Sequence, residues 1–208
     1  MITKDNRDLE NYHPMKFIDQ MERNKHILLL YDDQKYANWI IARYVNNGIA
    51  KGESCVFYSY DRPEKAEKQL DAEGIDVALL KQKKQLRIYQ IDRSVDKKRD
   101  LLLALKQRNY EMKESTKGMK APYRFIGKSI PDVGTKDGID FGILVEGTGH
   151  LHFDEFNCSL VCYYDISEIE PTGRHEWISS LLKSHHYVIY ATEPNKAVAF
   201  ETALLEQD

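Results

Sequence analysis

Short apolar runs alternate with amphipathic stretches along the chain. Ile27-Leu28-Leu29-Leu30-Tyr31 is the first continuous apolar run, and it predicts a strand buried on both faces. After Asp32 and Asp33, residues Ala37, Ile40, Ile41, Tyr44 and Val45 recur at the spacing of one helix face, with Gly48 as a stop and Gly52 as a turn. Cys55-Val56-Phe57-Tyr58 predicts a second strand. Asp61-Arg62-Pro63-Glu64 then predicts a helix start, with an N-cap aspartate and a first-turn proline, in a helix running toward Gly74. Leu86–Tyr89 and Tyr123–Ile126 predict strands on either side of a charged helix over 93–113, whose apolar stripe is Leu101, Leu102 and Leu105. His152–Cys158 reads as a short helix, Ser159–Tyr164 and Tyr187–Tyr190 as strands, and 175–184 and 194–206 as helices. Strands alternating with helices imply an α/β fold of three layers, a mainly parallel sheet flanked by helices. Residues 127–149 hold six of the eleven glycines and predict a loop, a hairpin or a lid. Residues 1–24 are polar and read as an N-terminal arm, leaving 25–208 as a single domain.

Composition narrows the function more than the fold. Thirty basic and 33 acidic residues leave a net charge of −3, so no nucleic-acid partner is expected. No stretch approaches the roughly 20 apolar residues that span a bilayer, and the charged first residues do not form an apolar signal region. No membrane association is expected, and the expected location is cytoplasmic. Cys55, Cys158 and Cys162 do not form a disulfide framework and read as buried small hydrophobes. The four-residue separation of Cys158 and Cys162 is unlike the shorter cysteine spacings of zinc ribbons, so no metal site is expected.

Acidic residues after the strands are the most informative set. Asp32, Asp61, Asp92 and Asp165 each follow a predicted strand, and in a parallel sheet those ends share the edge where ligands bind. Capping of the next helix accounts equally well for Asp61 and Asp92. Thirteen of the aromatic residues are tyrosines, several on strands, and a tyrosine can wall a pocket while its hydroxyl orients a ligand. The candidate ligand-binding residues are therefore Tyr31, Asp32, Tyr58, Asp61, Glu155, Tyr164 and Asp165, with Glu155 delivered by closure of the glycine-rich stretch. His26 and His185 each precede a strand, roughly 20 Å from the aspartate edge, so they are expected to pair with each other in packing or hydrogen bonding.

The order of the apolar strand, the helix, Asn47-Gly48 and Gly52-Glu53, with Tyr60-Asp61 and Cys162-Tyr163-Tyr164-Asp165 at later strand ends, resembles RecA-like ATPases of the KaiC type. The phosphate loop of those enzymes is missing. Asp32-Asp33-Gln34-Lys35-Tyr36 stands in its place with no glycine, and two aspartates would repel the anion that a glycine cradle binds. A second set of residues is similar to the methanogen/methylotroph DcmR sensory domain (MEDS) family, a degenerate RecA-like branch. It comprises the His26–Tyr31 strand, Gly48, Gly52-Glu53, Glu155 with Asn157-Cys158, Cys162-x-Tyr164-Asp165 and His185-His186. This resemblance implies a RecA-like topology over about residues 25–206 and a role in sensing a small molecule or in signalling. No catalytic residue and no cofactor is identified. A sensor needs a protein to read its state, so a homodimer or a signalling partner is expected. The alternatives are a residual nucleotide or metal-dependent hydrolase using Asp61, Glu155 and Asp165, and a scaffold.

Overall fold

A computed structural model describes residues 13–130, 132–169, 171, 174–192 and 196–205. Among them the strands are β1 (His26–Tyr31), β2 (Ser54–Ser59), β3 (Leu86–Gln90), β4 (Tyr123–Gly127), β5 (Cys158–Asp165), β6 (Tyr187–Ala191) and β7 (Val198–Glu201). They form one seven-stranded sheet in the order β3-β2-β4-β5-β1-β6-β7. Every pairing is parallel except β6 with β7. Helices α1 (Pro14–Gln20), α2 (Gln34–Ala50), α3 (Pro63–Ala72) and α4 (Val77–Gln82) cover one face, and α5 (Leu101–Thr116), α6 (Lys136–Leu151) and α7 (Arg174–Lys183) cover the other. The expected three-layer α/β architecture is therefore present.

Side-chain alternation divides the core between the two faces. From β1, Ile27, Leu29 and Tyr31 pack with Tyr36, Ile40, Ile41 and Tyr44 of α2, while Leu28 and Leu30 pack with Trp177 and Leu181 of α7. A central strand covered on both sides reads as an unbroken apolar run, which is why β1 is so plain in the sequence. Helix α2 begins only two residues after β1, because Asp33 caps it and accepts from the Tyr36 amide at 2.9 Å.

Four local readings are corrected. The 93–113 helix is broken: a 3-10 turn over Ser94–Lys98 ends at Arg99 in the left-handed region (φ 52°), and α5 begins at Leu101. Residues 152–158 hold only the 3-10 turn Phe153–Glu155. The closing helix expected over 194–206 is instead the antiparallel strand β7 and a 3-10 turn over Thr202–Leu205; Pro194 and Glu206 lie outside the described residues. The fourth is the glycine-rich stretch, most of which is helix α6, capped by the Thr135 hydroxyl accepting from the Gly138 amide. A Cβ at Gly142 would stand 2.5 Å from Ile130 Cγ2, so this glycine lets the helix pack close to the segment after β4. Within the segment read as an arm, residues 1–12 lie outside the described residues, and Pro14–Gln20 is a helix with Ile18 buried in the core.

Candidate functional site

At the carboxyl edge, Tyr31 and Asp61 line an open cleft of about 690 Å³ together with Tyr163. Its other expected neighbours are engaged elsewhere. Asp32 is exposed beside the end of β1. Asp165 caps a short turn, accepting from the Ser167 amide at 2.8 Å and hydroxyl at 2.6 Å. Asp61 pairs with Lys65 at 2.6 Å, one helical turn on. Tyr58 and Tyr164 point to the opposite face of the sheet, where their hydroxyls meet Ser115 and Glu146. Glu155 precedes β5 and lies at the amino edge, exposed and bonded to His152 at 2.9 Å. The seven residues thus do not share one pocket. Closure of the glycine-rich stretch cannot deliver Glu155 to the carboxyl edge, because that stretch is a packed helix and Glu155 sits at the far end of its strand. For the same reason Asp61, Glu155 and Asp165 do not form one hydrolytic centre.

A different cluster forms beneath α6. His26 opens β1 and faces the α5–α7 side. Its register partner is Leu160, so Cys162, two residues further along β5, projects on the same face. Glu146 comes down from the buried face of α6, and His185 lies between α7 and β6. One ligating atom from each of His26, Glu146, Cys162 and His185 lies within 4.8 Å of all the others, and all four residues are buried. His26 Nε2 is 3.3 Å from Cys162 Sγ and 3.8 Å from Glu146 Oε2.

Neighbouring groups fix the orientation of the cluster. Tyr164 donates its hydroxyl to Glu146 Oε1 at 2.9 Å and receives the Ile130 amide at 3.2 Å. Ser129 Oγ is 3.1 Å from Cys162 Sγ. His185 Nδ1 is 2.7 Å from the Leu181 carbonyl, which can only accept, so Nδ1 carries the proton. His185 Nε2 then holds a lone pair with no protein partner, and His26 Nδ1 also has none. The His26 ring is sandwiched by His185 at 3.8 Å and Phe153 at 5.0 Å between centroids.

Burial dominates the acid–base behaviour. It pushes His26 well below the ordinary imidazole value, helped by His185, His150 and His186 nearby, and it pushes His185 down to about 3. It raises the Glu146 carboxyl, and it raises the Cys162 thiol well above normal with Glu146 adding to the effect. Burial thus favours the neutral form of all four groups, while the Tyr164 hydroxyl bond and Arg108 work the other way on Glu146.

An apolar cavity of about 120 Å³ borders the cluster. His26, Arg108, Asn109, Ser129 and Glu146 supply its polar groups, with Arg108 paired to Asp96 at 2.9 and 3.0 Å; Met112, Phe125, Val145 and Phe153 are among its apolar lining. His26 and His185, expected to pair with each other away from the aspartate edge, do pack together, 3.8 Å apart between ring centroids. Glu146 was missed entirely, since it lies in the stretch read as flexible.

A family model described as "MEthanogen/methylotroph, DcmR Sensory domain" matches residues 25–186, most of the chain. The chain belongs to the MEDS family. Solved structures show the fold of this MEDS domain. A KaiC-like protein from the hyperthermophilic archaeon Pyrococcus horikoshii is similar at a TM-score of 0.57 with 12% identity, over 87% of this chain and 80% of that one. A second P. horikoshii protein, from a structural study, is similar at a TM-score of 0.59 with 13% identity, over 90% and 91% of the two chains. No curated protein matches the sequence. The RecA/KaiC-like fold and the assignment to a sensory domain family are thereby established. No helix among the described residues is long and apolar enough to cross a membrane.

Proposed function

We propose that this MEDS domain is a non-catalytic sensor of a small, mainly apolar molecule carrying one polar group. The observation that carries this reading is the cavity beneath α6, whose apolar lining is interrupted by His26, Glu146, Asn109, Ser129 and an Arg108 already paired with Asp96. A neutral imidazole beside a carboxyl favours a neutral hydroxyl, carbonyl or similar group over an anion. The volume of about 120 Å³ sets the size of the guest. A dry apolar cavity of roughly 150 Å³ holds benzene, so the guest here has about six heavy atoms or fewer. The wall of the cavity is built from α5, α6 and the turn before β5, so filling it would bear on how these helices seat against the sheet.

The nucleotide alternative lacks a comparable feature. The β1–α2 junction carries Asp32 and Asp33, and the Asp33 carboxylate already occupies the helix N-terminus where a phosphate would dock. Thermal-shift and NMR titrations with alcohols and ketones of about one to six carbons test the proposal. A saturable shift that is lost in Val145→Phe, where the new ring fills the cavity, and kept in Asp61→Asn at the carboxyl cleft is the expected result. A shift lost only in Asp61→Asn, or saturable binding of Mg-ATP, would overturn it.

A further inference from the structure

We propose that His26, Glu146, Cys162 and His185 bind one divalent transition-metal ion, zinc by the nature of the donors. Two imidazoles, a thiol and a carboxyl are the ligand types zinc takes, at bond lengths of about 2.0–2.3 Å in tetrahedral geometry. Ligand atoms around such an ion lie roughly 3.3–3.8 Å apart. The contacts from His26 Nε2 to Cys162 Sγ and to Glu146 Oε2, at 3.3 and 3.8 Å, already have that length. No pair of donors exceeds 4.8 Å, so a contraction of about an ångström closes the shell.

Three features separate this cluster from ordinary polar packing. His185 donates Nδ1–H to the Leu181 carbonyl and leaves Nε2 buried with a free lone pair. A ligating histidine is commonly fixed in this way by a bond from its other nitrogen to a carbonyl. Tyr164 holds one oxygen of Glu146 and leaves the other facing His26. Ser129 stands beside the Cys162 sulfur, where its hydroxyl can donate to a thiolate. The two anionic ligands, once deprotonated, offset the two charges of the ion, so the filled site carries no net charge into the core. The ion would join β1, α6, β5 and the α7–β6 connection, four segments distant in sequence. His26 and Glu146 also line the cavity, so a bound ion would change the polar groups a guest meets; the ion and the guest are tested by separate titrations.

The test is a cobalt titration of the 208-residue chain after chelator treatment. Expected is one-to-one binding, with a thiolate-to-cobalt charge-transfer band in the near ultraviolet and tetrahedral d–d absorption in the visible, both displaced by zinc. Cys162→Ser should lose the charge-transfer band, and Tyr164→Phe, which only positions Glu146, should weaken binding about 10–100-fold. In the double variant Cys55→Ala, Cys158→Ala, only Cys162 remains as a thiol, and the band should persist. Absence of stoichiometric binding, a band surviving Cys162→Ser, or its loss in the double variant overturns the site. The double variant decides the matter even where Cys162→Ser fails to fold. A negative cobalt titration beside a positive alcohol or ketone titration would remove the metal and leave the sensor reading in place.

Discussion

Arg124 on one face of the sheet and His26 on the other are both buried polar side chains, yet their surroundings are opposite. Arg124 spends every nitrogen: Nε donates to Glu53, Nη1 to the Tyr44 carbonyl at 2.8 Å and Nη2 to Asn47 Oδ1 at 2.9 Å. Its guanidinium also lies over the Tyr44 ring, 4.6 Å from the centroid. Gly48 exists to let it in, since a Cβ there would stand 2.5 Å from Arg124 Cδ. Around His26 the groups are just as deeply buried, but there the unpartnered atoms are ring nitrogens able to ligate, His26 Nδ1 and His185 Nε2, whereas on the Arg124 face they are the hydroxyls of Tyr36 and Tyr44. A closed polar network specifies a structure; an open one of ligating atoms is built for something additional. Gly48 and Gly52-Glu53 on one side, and His26, Cys162 and His185 on the other, all belong to the same set of motif positions. They divide by this criterion into a half whose arginine nitrogens are all bonded and a half that leaves ligating nitrogens unbonded.

The largest effect should come from opening the closed network. Arg124→Leu leaves the Glu53 carboxylate buried with only the half-exposed Arg23 to pair it, and removing one member of a buried pair costs about 3–5 kcal/mol. Urea unfolding should show that loss, with Arg124→Lys intermediate because a point charge cannot replace three directed donors. A loss of less than about 1 kcal/mol in Arg124→Leu would mean the network is not what holds that face together.

Next in size is Tyr164→Phe. The hydroxyl links the Ile130 amide to Glu146, and its removal leaves both without it in a buried site. The expected loss in urea is about 1–3 kcal/mol, the usual cost of stranding buried hydrogen-bonding groups. A neutral result would show that Glu146 and Ile130 find other partners, and that Tyr164 is ring packing against Trp177 alone.

Smaller still, Cys162→Ala and Glu146→Gln should change stability by no more than about 1 kcal/mol when chelator is present. Neither residue closes a network the fold depends on, and glutamine retains the oxygen that accepts from Tyr164. A loss as large as that of Arg124→Leu would erase the distinction between the two faces.

Much of the framework was legible because its physics is local. The runs that became β1, β2 and β5 had to be strands, since a sheet covered on both faces admits no polar gap. The spacing of Ala37, Ile40, Ile41, Tyr44 and Val45 marked α2, which the structure has, with Asp33 as its cap. The glycines of α6 misled, because glycine count signals a loop, whereas Gly138, Gly142 and Glu146 recur every four residues and mark a buried, closely packed face. Reading that interval would have brought Glu146 inward. The site itself was harder. His26 and His185 sit before their strands, on the amino edge, and the usual rule looks for ligands at the carboxyl edge. Only the register of β1 with β5, which sets Leu28 beside Cys162, brings the cysteine within reach of His26, and register is not written in a single strand.

The least disruptive probe of the two faces uses the cysteines that ligate nothing. Burial pushes both Cys55 and Cys158 up to about 12, so at pH 8 roughly one thiol in ten thousand is ionised, against about a quarter for a free cysteine near 8.5. Burial raises both thiols in the same direction, so the comparison rests on which side of the sheet opens to the reagent. Cys55 lies under α2 with its sulfur toward the Val45 carbonyl, behind the Arg124 network. Cys158 lines the cavity beneath α6. Iodoacetamide at pH 8, followed by peptide mass mapping, should therefore label Cys158 several-fold faster than Cys55, both far more slowly than in urea. Raising the pH toward 12 should accelerate both together. A guest in the cavity should slow Cys158 and leave Cys55 unchanged. Equal rates, or Cys55 reacting first, would place the more easily opened side of the sheet under α2 and reverse the comparison.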